Sequence, residues 1–350
     1  MRKSILFFFI FIIYACPPCD REIIENGPLP QSALDCVPYQ DGEIYKLKYS
    51  EDLIISFTAE RRTEENRQES RGQWCGPETH YEENRIVLEA DYPSVNWPFE
   101  SRGYPISYVP ADANLEDHIW KMLASESVSV FAFSLVQYVD GFRMDLDFLK
   151  ELKLKYPELI LIADGTQFCG AFDFDFAESG IDVLGASGYK WLLAGYGNGF
   201  YLFNPELKNR MSLPSIGFNA TGGRPDKKAQ IPFSRRLEPG HLDSFNFGSL
   251  KFSLEWLSKV GMKNITTHNE QLINKAWTTL TDLGVLQPRL KARKEHGPIF
   301  SIDPKRGLAD SLREAGVIFS ERGGRIRLSF HFYNTEKEVE QVMELIKRQL

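Results

Sequence analysis

Residues 161–202 read LIADGTQFCGAFDFDFAESGIDVLGASGYKWLLAGYGNGFYL. An apolar run ends on an acid, Asp164, and the turn that follows carries an amide, Gln167. A second apolar run passes through Ala186, Ser187, Gly188 and Tyr189 to Lys190 and Trp191. Short runs that are apolar at nearly every position read as strands buried on both faces, the mark of a mostly parallel sheet. Ligands of such sheets gather at the carboxyl ends of the strands. Asp164 and Lys190 are therefore expected to meet there. Taken alone, an acid and a lysine would read as two solvated charges.

The flanking sequence supports the same architecture. Ile86 to Leu88 reads as a strand leading into Ala90, Asp91, Tyr92 and Pro93. Leu115 to Leu123 has helical periodicity with Asn114 as its N-cap, and Val128 to Val136 is a β-branched and aromatic strand. Asp145 to Tyr156 reads as a helix with Leu146, Leu149 and Leu152 on one face, and Leu159 to Ala163 as the next strand. Helices between apolar strands indicate βαβ units. After a helical stretch at Phe252 to Val260 comes a Lys/Glu-rich segment. Beyond it are strands at Pro298 to Ile302, Val317 to Ser320 and Ile326 to Phe330, with helices at Leu308 to Ala315 and Glu336 to Leu350. Gly195 to Gly199 lacks the third spaced glycine of a dinucleotide loop and enters a strand, Phe200 to Phe203, so it reads as a tight turn.

With Asp164, Gln167, Ser187, Lys190 and Trp191 in register, the chain resembles the class V aminotransferase family (cysteine desulfurase-like, pyridoxal phosphate-dependent fold type I). Its signature runs D-G-x-Q and then S-x-H-K-W. The resemblance implies an α/β large domain, a mostly parallel sheet flanked by helices, with a smaller C-terminal α/β domain. It implies pyridoxal 5'-phosphate as cofactor, joined to Lys190 as a Schiff base. Asp164 would pair with the pyridinium, Gln167 would contact the ring hydroxyl, and Ser187 would touch the phosphate. Tyr189 stands where many members have histidine; a phenol can donate a hydrogen bond but does not titrate near neutrality.

The same resemblance extends to other residues. Tyr92 takes the place of the ring that stacks on the pyridine. Gln137 resembles the amide that reaches the substrate side. The turn from Glu238 to Ser244 resembles an E-x-G-T-x-N turn that crosses a homodimer to the neighbour's phosphate, with His241 at the threonine position, Asp243 at the asparagine position, and Ser244 as a substitute donor. Arg327, Ser329, Tyr333, Asn334 and Thr335 match an R-x-S-x-x-x-Y-N-T ending. Arg327 would grip a substrate α-carboxylate with its planar fork, and Thr335 would cap the last helix.

The expected function is that of a pyridoxal phosphate enzyme acting on an amino acid, with transamination, racemisation and lyase chemistry all open. Desulfurases of the family carry a nucleophilic cysteine in the loop before the carboxylate arginine. Here that loop, Phe319 to Gly324, has none, and Cys169 reads as a small packed group. Cysteine desulfuration is therefore not expected. The alternative is a catalytically defective or non-enzymatic member, because the first 85 residues hold no recognisable Ser/Thr phosphate loop at a helix N-terminus.

Composition bounds the partners. A net charge of −7 offers no basic footprint for nucleic acid. Five cysteines, odd in number and scattered through 350 residues, do not form a disulfide framework, and Cys16 and Cys19 make a lone CxxC, so no metal site is expected. Arg2 and Lys3 precede an apolar run from Ile5 to Ala15 that is too short to span a bilayer but suits a signal-peptide core ending at Cys16. The family resemblance implies the cytoplasm; the alternative is export or lipid anchoring through residues 1–19. The expected division is a divergent segment at 1–84, signal-like or truncated, a cofactor-binding domain at 85–260, and a small domain at 261–350.

Overall fold

The computed structural model describes residues 84–350, apart from Ala90, Ser212, Pro214 and Lys294, together with the backbone of four short strands nearer the N-terminus. Two compact units divide the chain, Met1–Thr79 and His80–Leu350. In the first, β1 (Ile23–Glu25) pairs antiparallel with β4 (Arg67–Glu69), and β2 (Ile44–Lys48) with β3 (Ile54–Thr58). The signal-like segment, the CxxC and the missing phosphate loop all fall outside the described residues.

The second unit is built on a six-stranded sheet in the order β10-β9-β8-β7-β5-β6. Its strands are β5 (Asn84–Leu88), β6 (Ile106–Val109), β7 (Val128–Ser134), β8 (Ile160–Asp164), β9 (Val183–Ser187) and β10 (Gly199–Phe203). All neighbours are parallel except β10, which returns antiparallel along β9. Ser134 lies opposite Asp164, and Asp164 opposite Gly185, so the carboxyl ends of three adjacent strands are level.

Helices lie between the strands. These are α1 (Pro93–Glu100), α2 (Leu115–Ser125) and α3 (Leu146–Lys155). Leu115, Ile119 and Leu123 of α2, and Phe148, Leu149 and Leu152 of α3, point inward at helical spacing. The Asp145 side chain caps α3 by accepting from the amides of Asp147 and Phe148, whereas Asn114 stands at the α2 N-cap without a side-chain capping bond. The sequence did not foretell α1, because Pro98 argues against a helix interior and Tyr92-Pro93 reads as a turn. Pro93 occupies its first turn, where no amide bond is lost.

Two long helices follow, α4 (Ser244–Val260) and α5 (Met262–Asp282). Gly261 joins them at a φ of 91°, a left-handed value that a side chain would strain. The Lys/Glu-rich segment is thus mostly helix: Ile265, Leu272, Ile273, Ala276 and Leu280 of α5 are buried. Buried Asn269 donates to the Ala171 carbonyl over 2.8 Å.

A three-stranded antiparallel sheet, β11 (Ile299–Ile302), β13 (Arg325–Ser329) and β12 (Ser320–Arg322), completes the unit with α6 (Leu308–Glu314) and α7 (Glu336–Arg348). Thr335 and Glu338 cap α7 reciprocally. A large hydrophobic core runs from Ile86 to Ile346, and a smaller one joins Leu192, Leu250 and Leu257 to Ile265, so the boundary expected at 260 falls between two helices that share a core. Among the described residues no helix is long and apolar enough to cross a membrane.

Candidate active site

A cavity of about 930 Å³ opens at the carboxyl ends of β7, β8 and β9. Asp164 and Lys190 both line it, with Tyr92, Gln167, Ser187 and Tyr189. The sheet supplies the acid and the turn after β9 supplies the amine.

Asp164 terminates β8, and its Oδ1 accepts from the Thr166 amide over 2.7 Å, an Asx turn that fixes the carboxylate's aim. Thr166 Oγ1 in turn accepts from the Ser187 amide over 3.2 Å and ties the ends of β8 and β9 together. Because that oxygen accepts, its hydroxyl proton remains for a ligand. Thr166 was not singled out from the sequence; the signal was a hydroxyl residue between the acid and the amide of the same turn.

Gln167 is buried, and its Oε1 accepts from the Trp191 indole Nε1 over 2.9 Å. Its NH₂ group is thereby directed away from Trp191. Gly170 adopts a φ of 93°, and a Cβ there would strike the backbone of Trp191, so the turn after Asp164 lies tight against the lysine segment.

Burial pushes the Lys190 amine below the ordinary lysine value; the Asp164 charge opposes this, and the charges of Arg327 and Arg322 add to it. The amine lies 6.0 Å from the Tyr92 ring centroid and 5.8 Å from that of Tyr189. Burial, with the neighbouring Tyr92, Tyr196 and Asp164, pushes the Tyr189 phenol up, so it stays a hydrogen-bond donor. Its ring stacks on Tyr196 at 4.8 Å. Cys169 sits behind Asp164, where burial and then that carboxylate push its thiol up to about 12, leaving it an inert packed group.

Tyr92 meets Tyr138 edge-on at 5.1 Å. Its position depends on Asp91, which is buried and accepts from the amides of Tyr92 and Ser134 at 2.6 and 2.8 Å and from Ser134 Oγ at 2.6 Å. Burial pushes the Asp91 carboxyl up, and the bond from Ser134 Oγ opposes it. Gln137 is 4% exposed, its side chain bears on the buried Asp91 carboxylate, and Ser134, Val136 and Tyr138 line the cavity in its place.

On β13 the two arginines part ways. Arg325 bonds Ser301, Asp303 and the Val285 carbonyl, a structural role. Arg327 gives Nη1 to the Tyr138 carbonyl over 2.7 Å and keeps a buried Nε without a partner. It does not itself line the cavity, but it bonds Tyr138, which does, and its charge reaches Lys190. His331 follows, sandwiched between Trp191 at 4.7 Å and Tyr333 at 4.4 Å.

His241 and Ser244 are exposed and do not line this cavity, although Leu242 between them does. Their expected role was toward a second copy's phosphate. Asp243 is turned into the N-cap of α4, accepting from the amides of Phe245 and Asn246. Among the described residues no group of three or more His, Cys, Asp or Glu could hold a metal ion.

The donor set fits a phosphorylated pyridine aldehyde. An acid suits a ring nitrogen, a lysine of reduced basicity suits an aldehyde carbon, and the Thr166 and Ser187 hydroxyls suit phosphate oxygens.

The family model for class V aminotransferases matches residues 81–342. An uncharacterized aminotransferase of Bacillus subtilis is 24% identical over 265 residues, covering 75% of this chain and 71% of that protein. The other curated relatives matched are spanned over 51 to 59% of their length. Among solved structures, the cysteine desulfurase of Thermococcus onnurineus NA1 superposes with a TM-score of 0.65 at 18% identity, covering 76% of this chain and 72% of that one. A variant of the lyase C-DES, with glycine covalently linked to its pyridoxal phosphate cofactor, gives 0.64 at 15%, covering 76% and 74%.

Proposed function

The chain belongs to the class V aminotransferase family, and from that premise we propose that it is a pyridoxal phosphate-dependent enzyme acting on an amino acid through Lys190, and not a cysteine desulfurase. The observation that carries the reading is the convergence of Asp164 and Lys190 in one cavity, with burial lowering the amine's proton affinity. A lysine so shifted is a better base and nucleophile near neutral pH.

When bound, the cofactor supplies an electron sink that acidifies the substrate's Cα–H. Asp164 holds a proton on the ring nitrogen, and the Gln167 amide and Tyr189 phenol donate toward ring or phosphate oxygens. Ser187 and Thr166 offer hydroxyls to the phosphate, while Tyr92 forms a wall for the ring. Arg327 aligns the α-carboxylate through its free Nε edge. Lys190 takes the Cα proton; returning it to the same or the opposite face of Cα gives retention or inversion, and delivering it to a different carbon gives amino-group transfer. The buried, inert Cys169 and the cysteine-free loop from Phe319 to Gly324 support the exclusion of sulfur transfer.

The reading includes a cytoplasmic homodimer in which His241 and Ser244 meet the neighbour's phosphate. The exposed row Phe245, Phe252 and Trp256 on α4 supports a covered face there.

The test is spectroscopic. Protein purified with pyridoxal phosphate is expected to show a visible absorbance band that borohydride abolishes and that Lys190→Ala lacks. No band in the wild type, or a band surviving in the variant, overturns the reading and leaves the non-enzymatic alternative.

A further inference from the structure

The small sheet carries three arginines on one face. In β13, Arg325 and Arg327 are two residues apart and share one face. On β12, Ser320 pairs with Arg327, and Arg322 with Arg325. Directly paired residues of antiparallel strands project to the same face, so Arg322 joins the two other arginines. It sits diagonal to Arg327, at the roughly 7–8 Å that long side chains bridge.

These three arginines are not equivalent. Arg325 is neutralised by Asp303. Glu321, next to Arg322 in sequence, pairs instead with Ile326, so it faces the other side, and its carboxylate is held by Arg313. Among the described residues no carboxylate pairs with Arg322 or Arg327. Two further polar atoms on this face are buried without partners, Ser320 Oγ and Arg327 Nε. The charges of both unpaired arginines reach Lys190, and Arg322 also disfavours the charge on Arg327. The buried, unmet Nε of Arg327 is costly unless a ligand brings negative charge, and solvent-exposed Arg322 adds a second cation whose charge also reaches Lys190.

One arginine answers one carboxylate. We propose that Arg322 is the specificity determinant for a second anionic group, so that the substrate is an α-amino acid with an acidic side chain, held by its α-carboxylate at Arg327 and by its side-chain carboxylate at Arg322. This rests on the amino-acid reading above and narrows it. A neutral amino acid would leave Arg322 unanswered. The exposed position of Arg322 on a short edge strand suits a group that meets the distal end of a ligand entering from solvent.

The test compares glutarate, which carries two carboxylates, with butyrate, which carries one on a chain of similar length. Both are titrated calorimetrically into cofactor-loaded and cofactor-free protein. Wild type is expected to bind glutarate about tenfold more tightly than butyrate, the size of one charge-assisted hydrogen bond. Arg322→Gln should erase that preference and leave butyrate binding unchanged. Arg327→Gln should weaken both ligands. Equal binding of the two acids, no binding of glutarate, or a preference that survives Arg322→Gln overturns the proposal. The borohydride-sensitive band is recorded on the same samples. Its absence defeats the cofactor reading alone, while the titration of cofactor-free protein still decides the role of Arg322.

Discussion

The Trp191 indole hydrogen-bonds Gln167 Oε1 over 2.9 Å, joining the residue after the lysine to the turn after the acid. The bond does more than hold two loops together. It removes the rotational ambiguity of the Gln167 amide, since the carbonyl must face the indole and the NH₂ must face elsewhere.

Trp191→Phe keeps an aromatic ring but strands the Gln167 carbonyl. A buried acceptor left unmet costs about 1–3 kcal/mol. The thermal midpoint should fall accordingly, and cofactor affinity, read by titrating the absorbance band, should fall with it. Gln167→Leu in the same background should add little to the affinity loss, because the two residues act as one unit.

Asp91→Ala should destabilise the protein by about 3 kcal/mol in urea unfolding, because it removes the acceptor for three donors, the amides of Tyr92 and Ser134 and the Ser134 hydroxyl. Ser134→Ala removes one of the three and should cost about 1 kcal/mol. An equal loss in the two variants would show that the carboxylate is not the hub of this cluster.

Lys190 gives stability a dependence on alkaline pH. Its folded value lies below the ordinary 10.5, so between the two the unfolded chain binds more protons and stability rises with pH. The cost of burying the charge is fully present below the folded value and disappears toward 10.5. Lys190→Met should therefore raise the urea midpoint at pH 7 and flatten its rise between pH 7 and 10. A variant that parallels wild type across that range would show that the amine is not the titrating group.

Acid should act through two histidines. Burial pushes both His331 and His296 down to about 4 from 6.5, so each is neutral in the folded protein and gains a proton more readily when unfolded. Stability is retained above 6.5 and lost as pH falls from there toward 4. Each should cost about 2 kcal/mol between pH 7 and pH 5. His331→Phe keeps the ring sandwich and should remove its share of the loss, measured as the difference in urea midpoints at the two pH values.

The parts of this molecule that could be read from the chain are those in which chemistry and strand pattern coincide. Asp164 and Lys190 each close an apolar run, and the parallel register alone brings their strand ends level. Thr335 was readable as a cap because a glutamate follows at the reciprocal position. Other features depend on relations that a linear reading does not display. Helix α1 starts on a proline, as helices can, but continues through a second, Pro98, that local rules count against it. Helix α5 has its apolar residues diluted by Lys, Asn and Thr on the solvent face, which hides the buried stripe. Thr166 acts by what it accepts from Ser187 on another strand. His241 and Ser244 are exposed and do not line the cavity, so this chain alone does not place them in the site. Arg322 is exposed, and only its cross-strand register sets it on the same face as Arg327.

The ring sandwich has a mechanical consequence. Trp191 is one residue from the amine of Lys190, and Tyr333 and His331 lie just beyond the strand that carries Arg327. Three flat rings, each a fixed thickness, thus act as a spacer block between the lysine segment and the arginine strand. The spacing of the two backbone segments that carry the lysine and the arginine is set by that block, like the jaw of a gauge. On the amino-acid reading proposed above, a substrate whose amine and carboxylate do not match that block would have to pry aromatic faces apart.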